Sequence, residues 1–363
     1  MKKIALMEPN DFHGEVVAGL VGYFVDIGYM CDVYLRSGNY AELEGIKFGP
    51  SVKLIRYQLD EAYSILNSEK MQEYDFVFFT SMELSLDGDV HHFLKHIGCE
   101  VKSRYGVMGM YHTTSFIRFF KDEEMARQGR LFCISDFQKN VEGLQALSPS
   151  YFYFREKCVG VKRKNRPVKI LSLGSMMDYE KMAQAYFKLS KAQKKELVVV
   201  HSGGPFARKR KSISIRKVAY AILAKINPKY YVKEFYYAVE EAGRLSFSDL
   251  LDLVEDMDYL FFRVDYHGYD GMHYLSLSTS GSKQMALAMN ILPICTLWTS
   301  ELYGFKDCSV TFDNDLHGCF ERILSMTDEE HETLLAVLER RHQQVYQESI
   351  DVLKNTIERI CGK

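Results

Sequence analysis

The turn "EPNDFHGEVVAGL" (residues 8–20) sets an imidazole, His13, between an apolar run and an amphipathic one. A turn needs no histidine in order to fold, and an unperturbed pKa of about 6.5 suits that side chain to accepting a proton near neutral pH. Asp11 and Glu15 flank it, and either carboxylate can orient a general base. These three are the candidate catalytic residues. The alternative is a histidine that caps the helix or sits in a solvated loop.

A second group of residues suits an anionic ligand. In "STSGSKQMALAM" (278–289), Ser280, Gly281 and Ser282 precede a helical pattern whose free N–H groups and dipole can receive a diphosphate. Lys283 adds positive charge where a departing phosphate needs it. An ordinary serine N-cap accounts for the same pattern. In "HSGGPFARKRKSISIRKVAYAILAKI" (201–226), Gly203 and Gly204 let backbone approach a phosphate, and Arg208 or Lys209 can pair with it. Further along, Ile215, Val218, Ala219 and Ile222 share one face of a basic helix. Such a helix either lies on an anionic membrane surface or exposes a solvated basic face on a domain.

Two loops after predicted strands add polar groups at the place where α/β proteins hold ligands. "RVDYHGYDGMHY" (263–274) carries Asp265 and His267, and "MYHTTSF" (110–116) carries His112 and Thr113. No metal is expected, because one loop rarely supplies a full ligand set. "DGD" (87–89) and "DND" (313–315) read as turns rather than as metal-binding acids.

The elements that must position these residues follow from the apolar pattern. "KIALM" (3–7), "MCDVYL" (30–35), "DFVFFT" (75–80), "YGVMGM" (105–110) and "RLFCIS" (130–135) are short, nearly continuous apolar runs separated by helical segments. That pattern predicts a parallel sheet covered on both faces. After the basic stretch "VGVKRKNRPVK", a candidate linker, the alternation restarts with "VKILSLG" (168–174), "ELVVVHSGGP" (196–205), "DYLFFRV" (258–264) and "ILPICT" (291–296). Ser246 and Asp249 mark a capped helix start, and 327–361 reads as one helix. The fold class is therefore α/β, with two Rossmann-like, doubly wound parallel-sheet domains facing a cleft. The first is expected over 1–160 and the second over 165–344, with the terminal helix 345–363 packing back on the first.

Length and composition agree. A chain of 363 residues exceeds one ordinary core. Its formal net charge of −2 argues against a globally basic nucleic-acid binder, so no nucleic-acid partner is expected. Eight scattered cysteines without a C-x-x-C pair predict reduced thiols and a cytoplasmic location. The first apolar run is shorter than the ~7 residues of a signal h-region, and none approaches the ~18 of a membrane span. Any membrane contact is expected to be peripheral.

The order of these motifs resembles the GT-B glycosyltransferases. The likeness rests on "EPNDFHGEVV", "LFCISDFQKNVEGL", "VKILSLGSMMDYEK" with "ELVVVHSGGP", and "GRLSFSDLLDLVEDMDYLFFRV" with "SGSKQMALAMNILPI". The resemblance implies transfer of a sugar from a nucleoside diphosphate to a saccharide or lipid-linked saccharide, in surface-polysaccharide synthesis. His13 would be the base, and His112 and Thr113 would meet the acceptor. The donor would be held by the loops that include Gly174, Ser175, Gly203, Gly204 and Leu245, together with the 280–283 turn. No metal and no cofactor beyond the nucleotide-sugar is implied, with UDP the foremost nucleotide. Many retaining members carry two glutamates where this chain has Ser278 and Ala286. That departure keeps two alternatives open: a non-catalytic GT-B-like partner, and a UDP-sugar 2-epimerase.

Overall fold

A computed structural model of the chain describes residues 2–148, 164–173, 179–203, 219, 222–223, 226–227, 235–236, 238–243, 245–262, 281–313 and 315–362. The chain forms two compact units. One comprises Met1–Glu156, Tyr266–Ala288 and His342–Lys363; the other comprises Lys157–Asp265 and Met289–Arg341.

In the first unit, β1 (Lys3–Glu8), β2 (Met30–Leu35), β3 (Val52–Arg56), β4 (Phe76–Phe79), β7 (Val107–Tyr111), β8 (Leu131–Cys133) and β9 (Gln145–Ala146) form one sheet. Their order is β3-β2-β1-β4-β7-β8-β9 and every pairing is parallel. β1 is an interior strand next to the central β4, and both its faces are apolar. Ile4, Ala5, Leu6 and Met7 are all buried, which only a strand covered on both sides can sustain. Helix α1 (Gly14–Asp26) returns the chain from β1 to β2 with ten of its residues buried. It stops at Gly28, whose φ of 86° lets the N–H groups of Gly28 and Tyr29 close back on Val25 and Phe24. Helix α2 (Ser37–Leu43) follows β2. Phe24, Phe76, Phe78, Phe79, Phe93 and Phe132 fill the interior, and burying each ring contributes roughly 1.5–3 kcal/mol.

Two further strands, β5 (Glu83–Leu86) and β6 (Asp89–His92), form a separate antiparallel hairpin. Its turn is Asp87-Gly88, with φ of 50° and 90°, the Asp-Gly chemistry of a tight hairpin loop. This is the structural role of the "DGD" triplet. Residues 342–362 of the terminal helix (Asp328–Cys361, with Gly362 beyond it) belong to this unit. Ser349 Oγ accepts from Ser148 N at 3.1 Å and Thr356 Oγ1 donates to Gln145 Oε1 at 3.0 Å.

In the second unit, β10 (Val168–Leu173), β11 (Leu197–Ser202), β12 (Glu240–Gly243), β13 (Tyr259–Phe261), β14 (Leu292–Cys295) and β15 (Val310–Thr311) are parallel, in the order β12-β11-β10-β13-β14-β15. Asp258 fastens the start of β13 to β10 by accepting from Asn165 N at 2.9 Å and Lys169 N at 2.8 Å. Helix Phe247–Glu255 is capped by Ser246, whose Oγ accepts from Asp249 N at 3.2 Å. Asp315 of "DND" caps helix Leu316–Ser325, accepting from Gly318 N at 3.0 Å. Among the described residues no helix is long and apolar enough to cross a membrane.

Candidate active site

β1 ends in Glu8, which is fully buried. Its Oε1 accepts from Asn10 N at 2.8 Å and Asn10 Nδ2 at 3.0 Å; its Oε2 accepts from Thr80 Oγ1 and Ser81 Oγ, each at 2.6 Å. Thr80 and Ser81 immediately follow β4, the strand paired to β1 on the side away from β2. The sheet's order reverses there, which is the topological switch point where open α/β sheets bind ligands. Burial pushes the Glu8 carboxyl up to about 7, against the pull of the hydrogen bonds from Ser81, Thr80 and Asn10. Four donors fill its four lone-pair sites, so it is the carboxylate that this pocket is built to hold.

The turn after β1 is braced on α2. Asn39 is fully buried, and its Nδ2 donates to the carbonyls of Asn10 and Phe12 at 2.9 Å each. Asn10 Nδ2 also donates to the Glu83 carbonyl at 2.8 Å, and Asn10 Oδ1 accepts from Ser85 N at 2.9 Å. These bonds hold His13 at φ 75° as the N-cap of α1, a left-handed conformation that non-glycine residues rarely adopt. Strain of this kind collects at functional sites.

The His13 ring packs edge-on against Phe12 (4.5 Å) and face-on against His112 (4.0 Å, planes within 11°). Its Nδ1 lies 3.3 Å from Ser81 Oγ. Burial and the neighbouring His112 hold its pKa well below the ordinary value. His112, just past β7, places Nε2 at 2.9 Å from the Thr80 carbonyl and 3.2 Å from Ser81 Oγ. A carbonyl only accepts, so His112 carries its proton on Nε2. Burial lowers the His112 pKa to about 4, although the Thr80 carbonyl favours the charged form. Thr113 N donates to Glu83 Oε1 at 2.9 Å. The other oxygen of Glu83 is sealed off without a partner, and burial raises this carboxyl to about 8.

His13, His112 and Thr113 thus come together at the ends of β1, β4 and β7. Asp11 and Glu15 do not make the orienting contact expected of them. Asp11 is engaged by Arg36 at 2.8 Å and by Gly38 N at 3.0 Å. Glu15 lies in the first turn of α1, raised to about 7 by burial and by Glu42, and makes no hydrogen bond or ion pair with an imidazole among the described residues. The carboxylate beside His13 is instead Glu8, reached through Ser81.

Of the residues expected to hold the donor, Lys283 is buried in helix Gly281–Met289, and its Nζ donates to Ser135 Oγ at 3.1 Å, two residues past β8. Gly281 and Ser282 open the same helix. Ala286 is fully buried within it. Gly203 follows β11 at φ 99° and its N–H donates to the Gly243 carbonyl at 3.0 Å. Leu245, half-buried, precedes the Ser246 cap. Gly174, Ser175, Gly204, Arg208, Lys209, Asp265, His267 and Ser280 lie outside the described residues.

Glu8, His13 and His112 each bring a ligand-type atom within 4.8 Å of the other two, a spacing compatible with a metal ion. Hydrogen bonds from Ser81, Thr80 and Asn10 engage the oxygens of Glu8. His112 Nε2 is committed as a donor to a carbonyl.

No protein-family profile and no curated protein matches the sequence. Solved structures do. An α-glucosyltransferase in complex with UDP and a 13-mer DNA superposes with a TM-score of 0.61 at 14% identity, over 97% of this chain and 99% of its own. AviGT4, a glycosyltransferase involved in avilamycin A biosynthesis, superposes at 0.55 and 13% identity, over 100% and 99%. An O-GlcNAc transferase mutant from Thermobaculum terrenum gives 0.51 at 12%, over 99% of this chain and 67% of its own.

The chain has the GT-B fold. It is a divergent example, at 12–14% identity to these structures. Within the GT-B frame the His13 cluster sits at the carboxyl edge of the first unit's sheet. His13 and His112 stand out as candidates in the sequence, whereas Glu8, Thr80, Ser81 and Glu83 join them only in the folded chain. A signal was present: polar residues crowd the exits of two fully buried runs, in "KIALME" and "FVFFTSME".

Proposed function

We propose that this protein transfers a sugar from a nucleoside diphosphate to a hydroxyl of a saccharide acceptor. The observation that carries this reading is His13: a neutral imidazole whose Nδ1 is engaged and whose Nε2, among the described residues, is neither hydrogen-bonded nor sealed off. The acceptor oxygen attacks the anomeric carbon as the bond from that carbon to the phosphate oxygen breaks. The diphosphate leaves with the bonding pair, and the hydroxyl proton passes to His13 Nε2. Lys283 supplies positive charge toward the leaving diphosphate, so a metal is not required for that role. UDP is the first nucleotide to test, in keeping with the α-glucosyltransferase structure that holds it.

A lipid-linked acceptor at the cytoplasmic face of a membrane, in surface-polysaccharide synthesis, is the biological setting we favour. Ile222 and Ile226, in a stretch rich in Lys and Arg, are 56% and 77% exposed, as an interfacial helix requires. Flotation with anionic vesicles tests that setting.

The transfer itself is tested by thermal shift and calorimetry against UDP-, GDP-, dTDP- and CMP-sugars, followed by nucleotide release with saccharide acceptors. Absence of binding to any of them would leave a non-catalytic partner role. A UDP-sugar 2-epimerase has one observation in its favour, since two carboxyls and two imidazoles meet at the site. Isomerisation of UDP-GlcNAc without an acceptor would identify it.

A further inference from the structure

We infer that Ser81 and Glu8 are positioning residues that lock His13 in the Nδ1–H tautomer, through the hydrogen-bonded chain His13 Nδ1–H to Ser81 Oγ–H to Glu8 Oε2. The inference deepens the proposed function and rests on it only for the use of the freed Nε2; the tautomer itself does not depend on any substrate.

Ser81 has one hydrogen to give and three neighbours: His13 Nδ1 at 3.3 Å, His112 Nε2 at 3.2 Å and Glu8 Oε2 at 2.6 Å. His112 Nε2 is already a donor, because the Thr80 carbonyl at 2.9 Å can only accept. The shortest of the three contacts runs to the carboxyl oxygen, a length typical of a hydroxyl donating to a carboxylate. The hydrogen of Ser81 therefore goes to Glu8. Its oxygen then faces two imidazole nitrogens as an acceptor, so His13 Nδ1 must carry a proton. A neutral imidazole has only one, which leaves Nε2 bare. Among the described residues, no group is hydrogen-bonded to this nitrogen.

Glu8 completes the arrangement because its remaining lone pairs are filled by Asn10 and Thr80, so it has no other use for the Ser81 proton than to accept it. The chain performs for His13 what a directly bonded carboxylate does in a catalytic triad: it fixes which nitrogen is basic and stabilises the imidazolium that forms. The intervening hydroxyl lets the carboxylate stay fully buried at the end of β1 while the imidazole reaches the edge of the sheet.

The test is NMR of the full chain labelled with ¹⁵N-histidine, without substrate, at pH 8. The expected wild-type pattern for His13 is a protonated Nδ1 and a bare Nε2. In Ser81→Ala the resonances should move toward a mixture of tautomers, and Ser81→Thr, which keeps the hydroxyl, should restore the wild-type pattern. Turnover should fall about 10–100-fold in Ser81→Ala, as for loss of an outer-shell partner, with KM for the donor little changed. An Nε2–H tautomer in the wild type, or a Ser81→Ala spectrum identical to it, overturns the inference without needing any variant to be active. One equivalent of metal held by these imidazoles in the purified chain overturns it too. Failure of the glycosyl-transfer reading is distinguishable, because it shows as no donor binding while the tautomer pattern stands.

Discussion

The rings of His13 and His112 lie face to face, centroids 4.0 Å apart and planes within 11°. Two imidazolium cations at that separation would repel by about 4 kcal/mol at an effective dielectric of 20. Burial keeps both rings neutral, and for His13 the neighbouring imidazole acts in the same direction. A neutral imidazole is the form that can accept a proton, and at neutral pH this site keeps one ready.

Replacing His13 should separate chemistry from binding. His13→Asn is the informative variant, since asparagine tolerates the left-handed backbone that position 13 requires and so preserves the turn. Donor affinity by calorimetry should change less than twofold to threefold, while turnover should drop by about 10²–10⁴, the range for losing a general base. Unchanged turnover would remove His13 from the reaction.

Glu83 should give the stability profile an alkaline decline. Its folded pKa of about 8 lies above the ordinary 4.5, so between those values the folded state retains a proton that the unfolded chain has released. Stability then falls as pH rises, by up to about 1.4 kcal/mol per pH unit for one proton. Glu8 acts in the same sense up to about 7. His112 acts oppositely, adding stability as pH rises from about 4 to 6.5, and contributes no slope above that. Urea unfolding of the wild type should therefore lose stability between pH 7 and 8, and Glu83→Gln should flatten that segment. An equal slope in both proteins would contradict the assignment.

The sheet strands that are buried on both faces were legible because burial on both faces forces a continuous apolar run, as in β1, β4 and β11. Four strands of the two parallel sheets were not. β3 reads "VKLIR" with exposed Lys53 and Arg56, as an edge strand does; β12 is "EEAG", and β9 and β15 span two residues each. These are held by neighbouring strands rather than by their own composition. At the site, His13 and His112 were visible because a turn needs no histidine in order to fold and because loops after strands are where α/β proteins hold ligands. Glu8 and Ser81 were not, because their role arises from the parallel pairing of β1 with β4, which brings together residues 73 positions apart. Asp11 and Glu15 were favoured for nearness in sequence, yet a turn that points Asp11 at Arg36 makes nearness along the chain a poor guide.

Lys283 tests the anion-binding half of the proposal. Its ammonium is buried and bonded to Ser135, so it is held in place before any ligand arrives. A charge-assisted hydrogen bond is worth about 1.5–3 kcal/mol, which is roughly 10–150-fold in affinity. Lys283→Met, which keeps the buried stem, should weaken UDP binding by that factor in calorimetry. Equal affinity in the two proteins would assign the lysine a structural role.

Asn39 is the brace on which the position of His13 depends. It is fully buried, and its amide satisfies two carbonyls of the turn, those of Asn10 and Phe12. Asn39→Ala deletes both bonds at once and leaves those carbonyls short of a donor, at a cost of about 1–3 kcal/mol per group and about 2–6 in all. The urea midpoint should fall accordingly with no change in slope, since the surface exposed on unfolding is the same. The turn's left-handed residue is then held by fewer contacts than its strain demands, so turnover should fall more than the fraction of folded protein does. A variant that loses stability but keeps full turnover per folded molecule would show that the imidazole is positioned by Ser81 and His112 without help from α2.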